Sequence, residues 1–450
     1  MSTRTGALVL AGGVLLALLQ QQLLLRRPPR LESLAAAPAS SGPAALDLRF
    51  SRPMQNASVA RDSRLTPPLP HQWLGDGTPL RLLLGSGQTV AEPLQLEVAG
   101  QDRRGLALAP QRWRWDPRPR LLAVVALAGG EQVQLLGHDG RWRPLSPIWP
   151  AIPTLTPLGD GSALAFAATD GTGRQGVWRL PLRQHNLSGG GRDGTAAPLR
   201  EPEIGRLERL SEQPLVFAHL SSNRRGDLLL QAGSQVLAGT STTLQRRDGR
   251  RLALPQTSSG PMQLLPEGSG VVVPQLEGLS LQALPGQPPR RQLLPGSRDL
   301  LGFCPVGGRA LLRRHWPDFR RSLELVEPGQ APRQLWLGSE ALLAVACERG
   351  GERVWALVSA GLERPRLELL VLDRRGRLVA RRSLAGWELE PGTGLQFDAT
   401  RRQLLLALRR QGANSPGVAD AARPALIEAG SLKLRLLDRP VRQVQWLTAG

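Results

Sequence analysis

From about residue 118 onward the chain repeats one theme. A short apolar run meets a glycine-containing turn, a second apolar run follows, and a third run ends in polar or arginine-rich residues. Starts fall at "RLLAVVALAGGEQVQLL", "TLTPLGDGSALAFAATDGTGRQGVWRLPL", "PLVFAHLSSNRRGDLLLQAG" and "MQLLPEGSGVVVPQLEGLSLQAL". Later units begin near residues 298, 341 and 394, which are 43 and 53 residues apart. Spacings of roughly 40–50 residues suit four-stranded propeller blades, each too small to bury its own faces and each completed by its neighbours. About seven blades fit residues 118–446, with six or eight also admissible. A strand near 113–125 pairing with the last run, "PVRQVQWL", would close the ring and remove its open edges.

Composition agrees with an all-β reading. The chain has 50 Gly and 39 Pro, placed between short apolar runs as turns between strands require. The apolar fraction of 41% excludes wholesale disorder. The formal charge of +20 comes almost entirely from arginine, Lys433 being the single lysine, and there is no tyrosine. The arginines are spread along the chain in pairs such as Arg224–Arg225, Arg246–Arg247, Arg313–Arg314 and Arg374–Arg375. A solvated turn is the plainer expectation for such pairs, and a nucleic-acid partner is disfavoured.

The N-terminus reads as a membrane anchor. Residues 6–25, "GALVLAGGVLLALLQQQLLL", carry no charge over a length that spans a hydrocarbon core. Arg26, Arg27 and Arg30 follow, and the nearest small-residue cleavage pattern is too distant for a processed leader. The basic C-terminal flank points the bulk of the chain into the cytoplasm. The short N-terminal tail with Arg4 has the shape of a secretory leader and points the other way. Residues 28–45, rich in Pro, Ala and Ser, are expected to form an extended spacer.

After that spacer, "LDLRF" alternates like a half-buried strand, Pro53 ends it, and "QNASV" suits a short helical bend burying Val59. "HQWLGDGTPLRLLL" reads as a hairpin, and "LQLEVAG" as a strand. Phe50, Ser51, Pro53, Met54, Ala57, Ser58, Val59 and Trp73 together resemble the bacterial Ig-like domain of surface-layer and other envelope proteins. The resemblance covers about residues 46–115, lacks the usual aromatic-rich last strand, and implies a sandwich spacer at 46–117 in an extracytoplasmic protein. In the propeller region, "PLGDGSALAFAATDGTGRQGVWRLPL" resembles a blade of TolB-like or WD40-like propellers. It keeps the turn, Phe166 and Trp178, while Gly159 stands for the usual Pro and Pro181 for the usual Asp. The expected order is therefore anchor, spacer, Ig-like sandwich and a propeller over 118–450.

No catalytic, cofactor-binding or metal-ligating residue is assigned. His71, His138, His185, His219 and His315 show no metal-site spacing, and nucleophile-elbow, zinc-peptidase and P-loop patterns are missing. "SGGGRDG" at 188–194 has no helix after it and reads as a flexible insertion. Cys304 and Cys347 hold equivalent places in successive repeats. Free buried thiols are expected, because equivalent points on adjacent blades should exceed the Cα separation of about 5.5 Å that a bridge needs. The favoured function is a non-enzymatic, membrane-anchored scaffold on the periplasmic side, presenting the propeller to a protein or glycan partner. Alternatives are a propeller-based hydrolase or lyase with a dispersed site, and a cytoplasmic-facing basic protein binding anionic lipid or nucleic acid.

Overall fold

The computed structural model describes residues 26–39, 41–189, 196–234, 239–361, 365–412 and 421–449, with residues 13, 20 and 22. Those three isolated positions are helical; the rest of the apolar span 6–25 lies outside the described residues. Among the described residues no helix is long and apolar enough to cross a membrane. Among the described residues the helix α1 spans Asn56–Asp62, and strands make up almost everything else. The chain divides into two compact units.

The first unit holds two four-stranded antiparallel sheets. One runs Leu31–Ala37, Ala45–Phe50, Leu80–Leu84, His71–Leu74; the other runs Leu187–Gly189, Ala107–Trp115, Leu94–Gln101, Arg64–Thr66. Alternation in "ALDLRF" buries Leu46, Leu48 and Phe50, and α1 buries Val59. Gly100, at φ +139°, lets the backbone of Val59 approach so closely that a Cβ there would lie 2.9 Å from the Val59 Cα.

Two expectations for this region are corrected. Residues 31–37, read as part of an extended spacer, form an edge strand whose Ala35 and Ala36 pair with Asp47 and Leu46. The unpaired amides and carbonyls along Ala45–Phe50 offer a ladder, and small side chains join it with little loss of rotamer freedom. Residues 187–189, read as the start of a flexible insertion, pair with Trp113–Trp115. Residues 190–195 of that glycine-rich stretch lie outside the described residues. The first unit thus takes residues 187–199 from the middle of the repeat region, and the second takes Thr89–Ala91, instead of a break near 117 alone.

The second unit is a β-propeller. Seven antiparallel blades can be traced among the described residues, inner strand first. Blade 1 is Val441–Leu447, Arg120–Leu127, Gly130–Leu136 and Trp142–Pro144. Blade 2 is Ala151–Pro157, Ala163–Thr169 and Gln175–Arg183, edged by Glu203–Ile204 and Glu208–Arg209. Blade 3 is Leu215–Ser222, Leu228–Ser234, Thr240–Gln245 and Arg251–Ala253, and blade 4 is Gln263–Leu264, Gly270–Gln275, Gly278–Ala283 and Arg291–Pro295. Blade 5 is Arg298–Phe303, Ala310–His315, Arg321–Val326 and Arg333–Gly338. Blade 6 is Ala341–Cys347, Arg353–Ala360, Arg366–Asp373 and Leu378–Ser383. In blade 7, Trp387–Leu389 and Gln396–Asp398 both pair with Gln403–Arg410, followed by Arg423–Glu428 and Leu434–Leu436.

Closure uses the C-terminal strand. Val441–Leu447 pairs with Arg120–Leu127, with Trp446 opposite Leu121 and Val444 opposite Ala123. The inner strands of blades 7, 1, 2, 3 and 4 adjoin in turn, as do those of blades 5, 6 and 7. Apolar cores lie between neighbouring blades: Trp355, Leu369, Leu404 and Ile427 join blades 6 and 7, and Leu122, Leu164 and Phe166 join blades 1 and 2. A sheet covered on both faces needs apolar residues at every position of its central strands. That is why Ala163–Ala168 is buried without interruption and the sequence shows continuous runs there.

Candidate functional site

Blade 5 breaks this rule. Its second strand is "ALLRRH", where blades 2, 6 and 7 have "ALAFAAT", "RVWALVSA" and "QLLLALRR". Antiparallel register sets Arg313 opposite Asp299, Arg314 opposite Arg298 and Ser322, and Leu312 opposite Glu324. The Asp299 Oδ2 accepts hydrogen bonds from Arg313 Nη2 at 2.5 Å and Nε at 3.0 Å, and contacts His315 Nε2 at 2.8 Å. The Arg313 Nη1 reaches into blade 6, donating to the Leu342 carbonyl at 3.0 Å. Partial burial pushes the Asp299 carboxyl up, but the bonds from His315 and Arg313 outweigh it and hold the group below the usual carboxylate range.

Beside it, Arg298 Nε donates to Glu324 Oε2 at 2.8 Å, with both side chains almost fully buried, and Arg314 Nη1 lies 3.7 Å from Glu324 Oε1. The Arg314 guanidinium stacks over Trp316 at 3.8 Å, and Trp316 Nε1 donates to Ser322 Oγ at 3.0 Å. Three arginines therefore face two carboxylates, and His315 adds further charge when protonated. Removing a single member of such a half-buried set strands its partner's charge, which is costly.

The turn that follows carries the most unusual residue in the unit. The Phe319 amide donates to the Trp316 carbonyl at 3.0 Å, closing the second-to-third-strand hairpin as the Gly173 amide does in blade 2, while Gly249 and Gly376 close the same type of turn in the third-to-fourth-strand hairpins of blades 3 and 6. Those glycines have φ of +79°, +87° and +83°; Phe319 has φ 63° and is 88% exposed. A left-handed backbone costs a bulky residue about 1–2 kcal/mol, and an exposed aromatic forgoes roughly 2 kcal/mol of burial. On the neighbouring blade 4, Leu276 is 97% exposed in the corresponding turn.

The other end of the propeller collects arginine pairs. Arg224–Arg225, Arg246–Arg247 and Arg374–Arg375 occupy turns that close first-to-second or third-to-fourth strand hairpins. Several of these side chains meet carboxylates: Arg246 with Asp227 at 3.0 Å, Arg247 with Asp160 at 3.4 Å, Arg374 with Glu327 at 2.7 Å. Here Cys304 and Cys347 form a disulfide with a Cα separation of 5.1 Å. This corrects the expectation of free thiols. The inner strands of blades 5 and 6 adjoin, so equivalent points at their ends come within bridging distance.

The five histidines fall in separate places. His71 bonds the Leu69 carbonyl at 2.8 Å in the first unit, His138 meets Arg401 at 3.0 Å, and His185 meets Glu203 at 3.0 Å. His219, its pKa lowered by burial, lies 5.3 Å from the ring of Phe217. Among the described residues no group of three or more His, Cys, Asp or Glu could hold a metal ion. From the sequence, His315 was one of five histidines with no assigned role. The usable signal was "RRH" closing the second strand of blade 5 after only three apolar residues, where Ala163–Thr169 of blade 2 stays apolar for six.

No family model matches the sequence, and no curated protein does. Among solved structures, the chain is similar to a putative 6-phosphogluconolactonase from Bacteroides fragilis, at 12% identity and TM-score 0.46, over 74% of this chain and 98% of that one. TolB from Acinetobacter baumannii matches at 11% identity and TM-score 0.40, over 86% of this chain and 82% of that one. The β-propeller domain of the Trilobed protease from Pyrococcus furiosus matches at 10% identity and TM-score 0.43, over 78% and 95%. The assignment of the second unit as a propeller rests on its own strand pairing and closure.

Proposed function

We propose that this chain is a non-catalytic binding scaffold working outside the cytoplasm, held at a membrane by residues 6–25 and presenting its propeller to a protein or glycan partner. The observation that carries this reading is Phe319, an exposed aromatic kept in a glycine-type turn conformation beside a cluster of net positive charge. The missing burial is recovered when a partner covers the ring, and the cations beside it favour an acidic partner surface. Support for the compartment comes from the Cys304–Cys347 bridge, since structural disulfides persist in oxidising spaces. The first unit is read as an Ig-like spacer on Phe50, Ser51, Pro53 and Met54; buried Met54 and Val59 are compatible with that reading.

The test is a photo-crosslinking residue placed at position 319 in producing cells, with the same residue at Asp248 as a control. A discrete adduct at 319 that is lost on adding Arg313→Glu is expected. An adduct pattern identical at 319 and 248 contradicts the proposal.

A further inference from the structure

At the opposite end of the same blade, an open cleft of about 350 Å³ lies between the outer strand of blade 5 and the third and fourth strands of blade 6. Its floor is apolar: Leu335, Leu370 and Leu372 are buried and Trp336 is half-buried. Its rim carries Arg375 and Arg381. The volume falls in the range of small-molecule sites, which combine an apolar lining with a few placed polar groups.

Two independent features show that the strands depart from regular pairing here. In blade 5 the register slips between Leu323 and Glu324, leaving Leu335 as an extra residue; in blade 6 it slips between Val371 and Leu372, leaving Val379 extra. The outer-strand pairings of blades 1, 3, 4 and 7 run without such a slip among the described residues. Bulges of this kind re-aim side chains and are common at sheet edges and next to binding sites. Gly376 closes one side: a Cβ there would lie 2.6 Å from the Leu335 carbonyl oxygen, so only glycine lets the turn press against the strand.

The charge around the cleft is unbalanced. Arg309, Arg333 and Arg374 converge on one buried carboxylate, Glu327, at 3.0, 3.7 and 2.7 Å. Burial pushes Glu327 up, yet the bonds from Arg374 and Arg309 prevail and keep it below the ordinary range. Arg381 has only a 3.5 Å contact with Glu368 while more than half exposed. The Arg375 guanidinium, on the rim itself, makes no ion pair among the described residues, although its backbone amide bonds Asp373 Oδ1 at 2.8 Å. Five arginines thus stand against Glu327, Glu368 and Asp373, and the least engaged of them borders the apolar floor.

We propose that this cleft binds a flat apolar small molecule carrying one carboxylate, its ring system on Leu335, Trp336, Leu370 and Leu372 and its carboxylate on the Arg375 guanidinium. A planar guanidinium fork recognises a carboxylate by two parallel hydrogen bonds. The site is separate from the Phe319 end, and either stands without the other.

The probe is 2-naphthoate, titrated against the full chain by calorimetry and ligand-observed NMR. Saturable binding below about 1 mM is expected, with the uncharged 2-naphthamide at least about tenfold weaker. Arg375→Gln, an exposed change that leaves the fold intact, should weaken naphthoate by about tenfold, the loss of one charge-assisted pair. Arg250→Gln, in the like turn of blade 3, should leave it unchanged. The proposal is overturned if naphthoate shows no saturable binding up to about 10 mM, if the amide binds equally well, or if Arg375→Gln binds as the parent does.

Discussion

At the scale of single residues, two positions hold conformations or ionisation states that the fold itself disfavours. Phe319 sits where the equivalent hairpin of blade 2 places Gly173. Phe319→Gly should therefore raise the melting temperature, by an amount equivalent to about 1 kcal/mol; calorimetry on the purified variant checks this, and an unchanged or lower melting temperature contradicts it. Asp398 ends the inner strand of blade 7, and its Oδ1 accepts from the Thr400 amide at 2.8 Å and hydroxyl at 2.7 Å, while its Oδ2 has no hydrogen-bond partner among the described residues. Burial raises its pKa, and the bonds from Thr400 only partly counter that. A carboxyl raised in the folded state contributes stability below its unfolded value of about 4, and that contribution is lost as pH climbs through the folded value. Asp398→Asn keeps the Thr400 bonds and cannot ionise. It should melt higher than the parent at pH 7, with the gap closing toward about pH 4. A constant gap across that range contradicts the assignment. Neither residue was legible in the sequence: nothing in "WPDFR" or "QFDAT" announces a positive φ or a desolvated carboxyl, because both depend on neighbours distant in the chain.

At the scale of elements, legibility followed how much burial dictates the side chains. Blade strands covered on both faces, such as Ala163–Thr169 and Arg353–Ala360, announced themselves as apolar runs. The spacing between Cys304 and Cys347 reported the blade repeat correctly, yet their bridge was missed because spacing in sequence does not tell how closely inner strands converge. Leu31–Ala37 and Leu187–Gly189 were missed for the opposite reason. Both are edge strands held mainly by backbone hydrogen bonds, and their polar and small side chains carry no periodic signal. The bridge closes a loop with a sequence separation of 43 residues, for which the chain-entropy model gives about 4 kcal/mol. Cys304→Ser should lose stability of that order in denaturant titration, and reductant should bring the parent down to the variant. Equal midpoints for the oxidised parent and the variant contradict it. Gly376→Ala should cost about 2 kcal/mol or more, since it places a Cβ against Leu335 in a left-handed turn.

At the scale of the whole molecule, the ring depends on one late pairing, Val441–Leu447 on Arg120–Leu127, whose apolar contacts Val441, Val444 and Trp446 join the core between blades 7 and 1. Its pattern was readable because a closed propeller needs the terminal strand to remove its own edge. The broader proposal concerns place: the reading of a scaffold working outside the cytoplasm rests on the disulfide between blades 5 and 6, the uncharged run at 6–25 and the exposed Phe319. Topology tests this most directly. A reporter active only outside the cytoplasm, fused after Gly450, is compared in living cells with one active only inside. Activity of the outside reporter, with Cys304 and Cys347 protected from alkylation until reductant is added, is the expected result. Activity of the inside reporter, with both thiols free to react, contradicts it.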